Sequence, residues 1–329
     1  MGKAENAVSQ NASEEMAAAP VKREKRFVRL FKRDWQLHLL IAFPVIYMII
    51  FHYWPLYGAQ IAFRDYRSKD GIWGSKWVGL KWFKKFINNY QFKNIMVNTL
   101  TVSAYSIIVH FSLAVIFALL INTIRNQKFK KSIQTITYIP HFISVVVLIS
   151  MFNQFFSPIC GIYGNAYRLL GGTGYPFDFR GTSSSFRHIY VWTGVWANLG
   201  WETIIYTAAL SAVSPDLHEA AMIDGASRWK RVWNVDFPTI LPTACTMLIL
   251  KAGSIMSVGF EKTFLLQTDV NRSKSEVIST YVYKAGMSSQ SDFSYGSAIG
   301  LFNSIIDCTL LVFVNWLSKK LSSDEVGLF

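Results

Sequence analysis

Long apolar blocks alternate along this chain with short polar gaps that carry most of its charge. Six blocks read as membrane-spanning helices, at about 37–63, 95–122, 133–156, 188–212, 239–265 and 297–318. A helix rises about 1.5 Å per residue, so each block is long enough to cross a hydrocarbon core of roughly 30 Å. Pro44 and Pro55 are expected to kink the first. The pattern predicts an all-α membrane protein, with a polar, basic tail over 1–36 and a membrane domain over 37–329.

Composition sharpens this picture. The chain is 51% hydrophobic and only 16% charged, and a soluble fold would not gather its apolar residues into blocks of bilayer length. The net charge of +13 does not point to nucleic acid, because Lys and Arg sit in the gaps between blocks and flank the spans. Cys160, Cys245 and Cys308 are odd in number and far apart, which supports neither a disulfide framework nor a metal site. No apolar centre of a cleavable signal appears in the first twenty residues, which read as a disordered tail, and the Met-Gly start lacks the Ser or Thr of a myristoylation signal. The basic stretch VKREKRFVRLFKRDW spaces Phe27, Leu30 and Phe31 at helical intervals. It reads either as a helix lying on the membrane surface or as a charge anchor.

Charge gives the orientation weakly. With the N-terminus inside, the cytoplasmic segments hold seventeen Lys or Arg against fourteen outside, and the dense basic tail before the first span favours that arrangement. Trp73, Trp77, Trp82 and Phe83 in the outside segment 64–94 suit a piece resting at the water–lipid interface. The stretch 157–187 is rich in Gly and Ser and forms a loop. No phosphate loop, helical HExxH, GxSxG or internal repeat is present.

One polar gap is built differently from the rest. Residues 219–238 read EAAMIDGASRWKRVWNVDFP. Ser214 is a natural N-cap, Pro215 fits the first helical turn, and Asp216 complements the positive helix end. Asp224-Gly225 stops the helix, with Gly225 free to turn left-handed. A second, amphipathic helix over about Ser227–Val235 sets Trp229, Val232 and Trp233 opposite Arg228, Lys230 and Arg231. Pro238 and Pro242 then mark entry into the fifth span. On these residues alone the segment is either an ordinary interfacial loop or a docking element.

EAAxxDGA followed by an aromatic-rich helix and a proline resembles the EAA loop of ABC importer permeases. The match is carried by Glu219, Ala220, Ala221, Asp224, Gly225, Ala226 and Pro242, with one departure at Phe237, where many members carry Leu before a proline. WVGLKWFKKF before VNTL, then GSIMSVGFEKTFLL, VISTYVYKAGM and the last span, are similar to the branch that handles oligosaccharides or polysaccharide fragments. The resemblance covers nearly everything from about residue 35 and implies six transmembrane helices of the type I ABC importer fold. It implies a cytoplasmic coupling helix, including Arg228, with both termini in the cytoplasm of a multi-pass cell-membrane protein.

It also implies partners: a second related permease, two ATP-binding subunits that hold ATP and Mg, and an extracellular or periplasmic solute-binding protein. This chain itself would carry no cofactor and would not be an enzyme. The expected function is passage of an oligosaccharide across the membrane by alternating access, with Glu219 a candidate for a charged contact to the ATPase. The alternative is an ion-coupled secondary transporter of small solutes, in which the EAA stretch would have no purpose.

Ionisable groups inside spans mark the substrate path, since a charge at mid-bilayer costs roughly 2.5–3.5 kcal/mol. Glu202, Lys251, Glu261 and Asp307 are such groups. Trp201 and Tyr206 flank Glu202 with aromatic faces suited to sugar rings, and Lys251, Ser254 and Ser257 form a polar stripe on span five. Lys251 could equally be an ion-pair partner of another span, and Glu261 a residue near the outer interface. His38 and His110 read as structural.

Overall fold

The computed structural model describes residues 33–287 and 292–321, so the expected tail lies almost wholly outside the described residues. The chain falls into two compact units, Met1–Gly58 and Ala59–Phe329. In the first, α1 (Trp35–Met48) has Pro44 inside it and buries no residue. A π-helical turn, Ile49–Tyr53, follows. Leu40 and Phe43 are 74% and 79% exposed, and a helix that is apolar all round suits a lipid surround.

The second unit begins with a small antiparallel ladder of β1 (Arg64–Asp65) and β2 (Lys76–Trp77), followed by α2 (Lys81–Ile87). Trp73 and Trp77 are exposed, as the interfacial reading expects, but Trp82 and Phe86 are buried. The Trp82 indole donates to the Arg64 carbonyl at 2.9 Å, and its ring joins a core with Ile95, Ile278 and Tyr295. Trp82 is thus a core residue rather than an interfacial one. Its period along α2 sets it on the inward face with Phe86, four residues on.

Helix α3 (Phe92–Asn122) matches the second predicted span. The third is broken: α4 (Gln127–Tyr138) leads through a short 3₁₀ turn into α5 (Val145–Phe155), and the two arms bend by 99°. Pro140 sits in the turn, and Ser144 starts a new helix by accepting from the Val147 amide at 3.3 Å. The loop 157–187 contains α6 (Ile162–Leu169) and a short 3₁₀ turn at Ser183–Ser185.

Helix α7 (Phe186–Leu210) is long enough to be the fourth span but, among the described residues, is not one of the four helices apolar enough to cross on their own, to which the bent pair adds a fifth. It buries Phe186, Ile189, Val195, Tyr206 and Leu210 against protein, while Trp192, Trp196 and Trp201 on its other side are exposed.

After α8 (Pro215–Ile223), a continuous helix α9 runs from Arg228 to Ala252. The fifth span therefore starts earlier than expected, and Pro238 and Pro242 lie within it rather than at its entry. A π turn at Val232–Asp236 widens the helix just before Pro238, which absorbs the missing donor and the ring. Of the expected apolar stripe only Val232 is buried; Trp229 and Trp233 are exposed. The span also ends sooner, at Ala252. Residues 253–259 leave the helix, and α10 (Phe260–Leu266) is separate, because the Met256 amide and Ser257 hydroxyl both donate to Asp307, at 2.9 and 2.7 Å. That carboxylate takes over hydrogen bonds the helix would have supplied.

Helices α11 (Ile278–Met287) and α12 (Phe293–Leu321) close the chain. They meet where Gly286 and Gly296 face each other: a Cβ on Gly296 would stand 2.9 Å from the Gly286 Cα. Gly296→Val should therefore lower the stability of the folded chain by roughly 1–3 kcal/mol, read as a fall in melting temperature in detergent. An unchanged melting temperature would mean the two helices do not touch there.

Candidate functional site

Two places gather the residues singled out by sequence. The first is the elbow between α7 and α9. Ser214 caps α8 by accepting from the Asp216 amide at 3.2 Å, with Pro215 at the first helical position. Gly225 ends it with φ +75°. Its amide donates to the Met222 carbonyl at 3.0 Å, and the Ala226 amide reaches back to the Ala221 carbonyl at 2.8 Å. These are the two bonds of a Schellman turn, which satisfies the last carbonyls of the helix. Ser227 then caps α9 by accepting from the Lys230 amide. Both helix ends are fixed within three residues, so the angle between them is set by the backbone.

Helix α8 buries no residue. Leu217, Met222 and Ile223 are exposed beside Glu219 and Ala220, Ile223 at 87%. An isolated nine-residue helix is marginal in water, so its order comes from the caps. A cavity of about 500 Å³ lies behind it, lined by Glu219, Arg228, Arg231, Arg125, His218 and Asp236. The elbow residues Glu219, Ala220, Ala221, Asp224, Gly225, Ala226 and Arg228 are thus assembled on one short segment.

The second place is a polar cavity of about 240 Å³ among α3, α7 and α9. Lys251 donates to Glu202 Oε1 at 2.9 Å, and His110 Nδ1 lies 3.3 Å from both oxygens of the same carboxylate. Three helices each contribute one member of this cluster. Ser254 and Ser257 line the cavity too, with Ser103, Ser106 and Tyr190. The structure brings together Glu202, Lys251, Ser254 and Ser257 but leaves three candidates out. Trp201 is stacked on His141, with centroids 4.3 Å apart and planes 6° from parallel, so one ring face is already covered. Tyr206 is 2% exposed within the packed core. Glu261 is exposed in the first turn of α10.

Lys251 has the ion-pair partner that was one of its two readings, and it also lines the cavity. His110, read as structural, is a cavity residue. Tyr190 and Lys262 were missed: Lys262 donates to the Tyr190 carbonyl at 2.6 Å. The usable signal was the rule that a polar group inside a span needs a partner, applied to His and Tyr as well as to carboxylates. A larger cleft of about 580 Å³, lined by Phe152, Trp192 and Trp196, is almost wholly apolar and holds none of the candidates. Among the described residues no cluster of His, Cys, Asp and Glu could hold a metal ion.

Residues 110–323 match the family described as binding-protein-dependent transport system inner membrane component. The chain belongs to that family. It is a multi-pass inner-membrane transport component that works with a solute-binding protein, not an enzyme. It is 38% identical over 298 residues to Protein LplB of Bacillus subtilis (strain 168), covering 91% of this chain and 92% of that one. To the polygalacturonan/rhamnogalacturonan transport system permease protein YteP of the same organism it is 37% identical over 305 residues, covering 93% and 94%. A chain of the crystal structure of a bacterial ABC transporter involved in the import of the acidic polysaccharide alginate matches with a TM-score of 0.81 at 32% identity. That match covers 91% of this chain and all of that one. A second structure of the bacterial alginate ABC transporter, in complex with an alginate pentasaccharide-bound periplasmic protein, matches equally well. The type I importer permease fold expected from the EAA stretch is therefore the fold of this chain, and the secondary-transporter alternative is not favoured.

The Glu202 cluster gives a prediction. Removing one member of a partly buried ion pair leaves the other uncompensated, a cost of a few kcal/mol. Lys251→Met should lower the melting temperature in detergent, and the double variant Lys251→Met with Glu202→Gln should recover much of the loss. A double variant no more stable than the single one would mean that the pair carries no electrostatic coupling.

Proposed function

We propose that this permease imports carbohydrate, receiving an oligosaccharide or polysaccharide fragment from its solute-binding protein and passing it through the membrane by alternating access. The observation that carries the reading is the rigid, exposed α8–α9 elbow, placed between two long helices in a chain of the binding-protein-dependent family. The carbohydrate class is supported by relatives named for polygalacturonan, rhamnogalacturonan and alginate. The polar cavity around Glu202 and Lys251 offers hydroxyl, imidazole, carboxylate and ammonium groups in one space, the donor and acceptor mix that sugar hydroxyls require.

In this reading 37–329 is the permease domain and crosses six times, with α7 the fourth crossing. Both termini and the elbow are cytoplasmic. One such chain cannot enclose a path, so a second, related permease completes it. Two ATP-binding subunits hold ATP and Mg, and α8 docks in a groove on one of them. Its exposed Leu217, Met222 and Ile223 supply apolar contact, and Glu219 faces a basic group of the ATPase. When ATP draws the two ATPases together, α8 moves as a rigid body and the spans tilt with it.

Three results test this. An ATPase subunit should co-purify with the chain, and uptake of pectin- or alginate-derived oligosaccharides should be blocked by vanadate and insensitive to ionophores. Uptake abolished by ionophores alone would contradict the reading. Gly225→Val forces a β-branched residue to a positive φ at a cost of about 1–2 kcal/mol. It and Glu219→Arg should leave the chain in the membrane while uptake per ATP hydrolysed falls several-fold in proteoliposomes; wild-type ratios would refute the role given to α8.

A further inference from the structure

Helix α8 buries no residue, so beyond its capped backbone its hold on the other helices rests on side-chain contacts. Among the described residues, α8 has one side-chain polar contact to another element: His218 Nε2 stands 3.2 Å from Asp236 Oδ1. Asp236 is 3% exposed and closes the π turn of α9. The amide nitrogen of Asn122, the last residue of α3, donates to the same oxygen at 3.2 Å. One buried carboxylate oxygen on α9 therefore holds both the exposed helix α8 and the end of α3. The π turn matters to this arrangement. One extra residue in a helical turn rotates everything after it by about 100°, so the widening at Val232–Asp236 decides which way the Asp236 side chain faces. Such turns cost helix hydrogen-bond geometry and concentrate at functional positions.

We propose that the His218–Asp236–Asn122 contact is the joint that passes the motion of α8 to α9 and α3. Its members are positioning residues, which touch neither ATP nor substrate. The proposal rests on the reading of α8 as the coupling helix. A buried carboxylate resists losing its partners because the low-dielectric surroundings give it no alternative. The contact therefore stays closed while α8 is pushed, and the push reaches the helices that line the Glu202 cavity. Arg231, one turn before Asp236 on α9, faces the same 500 Å³ cavity and adds positive charge on that side. Glu219, one residue from His218, stays available to a partner.

The test uses the complete transporter in proteoliposomes, with Cys160, Cys245 and Cys308 replaced by Ser and a reporter, Ser106→Cys, in the polar cavity. Labelling of the reporter by a maleimide is timed with and without ATP and vanadate, and ATPase co-purification is scored in parallel. With His218 and Asp236 intact, vanadate trapping should change the labelling rate. His218→Ala and Asp236→Ala should each retain the ATPase but shrink that change roughly tenfold, as expected when one member of a buried pair is left alone. The double variant should be no worse than the more affected single one. His218→Lys, which places a hydrogen-bond donor and a cation opposite Asp236, should restore most of the response. His218→Phe keeps bulk at a partly exposed position without the nitrogen and should not; this variant decides the matter should Asp236→Ala fail to insert. An undiminished response in His218→Ala and His218→Phe, or an equal loss in His218→Lys, overturns the joint. Absence of both the ATPase and the vanadate response with the pair intact would instead overturn the coupling reading, and the joint with it.

Discussion

Two hydrogen bonds around a left-handed glycine set the geometry of the elbow between α7 and α9. The Ala226 amide on the Ala221 carbonyl and the Gly225 amide on the Met222 carbonyl end α8 at a fixed residue, and Ser227 starts α9 two positions later. An L side chain at φ +75° would be strained, so the turn needs glycine there. Because both ends are capped, α8 can project from the spans without a hydrophobic core of its own. Its apolar residues Leu217, Met222 and Ile223 are left exposed, and its attachment to α9 is not a slack connector.

The same economy of polar groups runs through the rest of the molecule. A chain in lipid disfavours backbone or charged groups without partners, and three carboxylates supply such partners here. Asp307 receives the amide and hydroxyl freed where α9 ends. Lys251 and His110 surround Glu202, and Asp236 gathers His218 and Asn122. These clusters join elements far apart in sequence at the points where helices break, bulge or end. The cavity around Glu202 and the elbow are built from the same helices, α3, α7 and α9, so movement at one end of those helices reaches the other.

Features governed by neighbouring residues were legible in the sequence. Ser214, Pro215 and Gly225 announce their roles by local chemistry alone, and α3 and α12 follow from long uninterrupted apolar runs. The bend before Val145 was not read, because Pro140 and Ser144 sit inside a run apolar enough to pass for one span. The end of α9 at Ala252 was missed for a different reason: the following residues are held out of the helix by Asp307 on another helix. Distance in sequence hid the rest. Trp82 is buried by residues near 280 and 295, the His141 ring that covers Trp201 is sixty residues away, and neither His110 with Glu202 nor His218 with Asp236 has a spacing that any local period would flag. Sequence placed the elbow well because its fold is local; it gathered the residues of the polar cavity only in part because that cavity is assembled by packing.

Cross-linking from the elbow tests the central claim most directly. A single cysteine at Ala220, in a chain whose own three cysteines are serines, would be treated with a short bifunctional thiol reagent in inside-out and right-side-out vesicles. The account predicts that it labels from the cytoplasmic face alone and captures the ATP-binding subunit, with a yield that changes when ATP and vanadate are added. Labelling from the external face, or a reactive cytoplasmic cysteine that never captures that subunit, would contradict it.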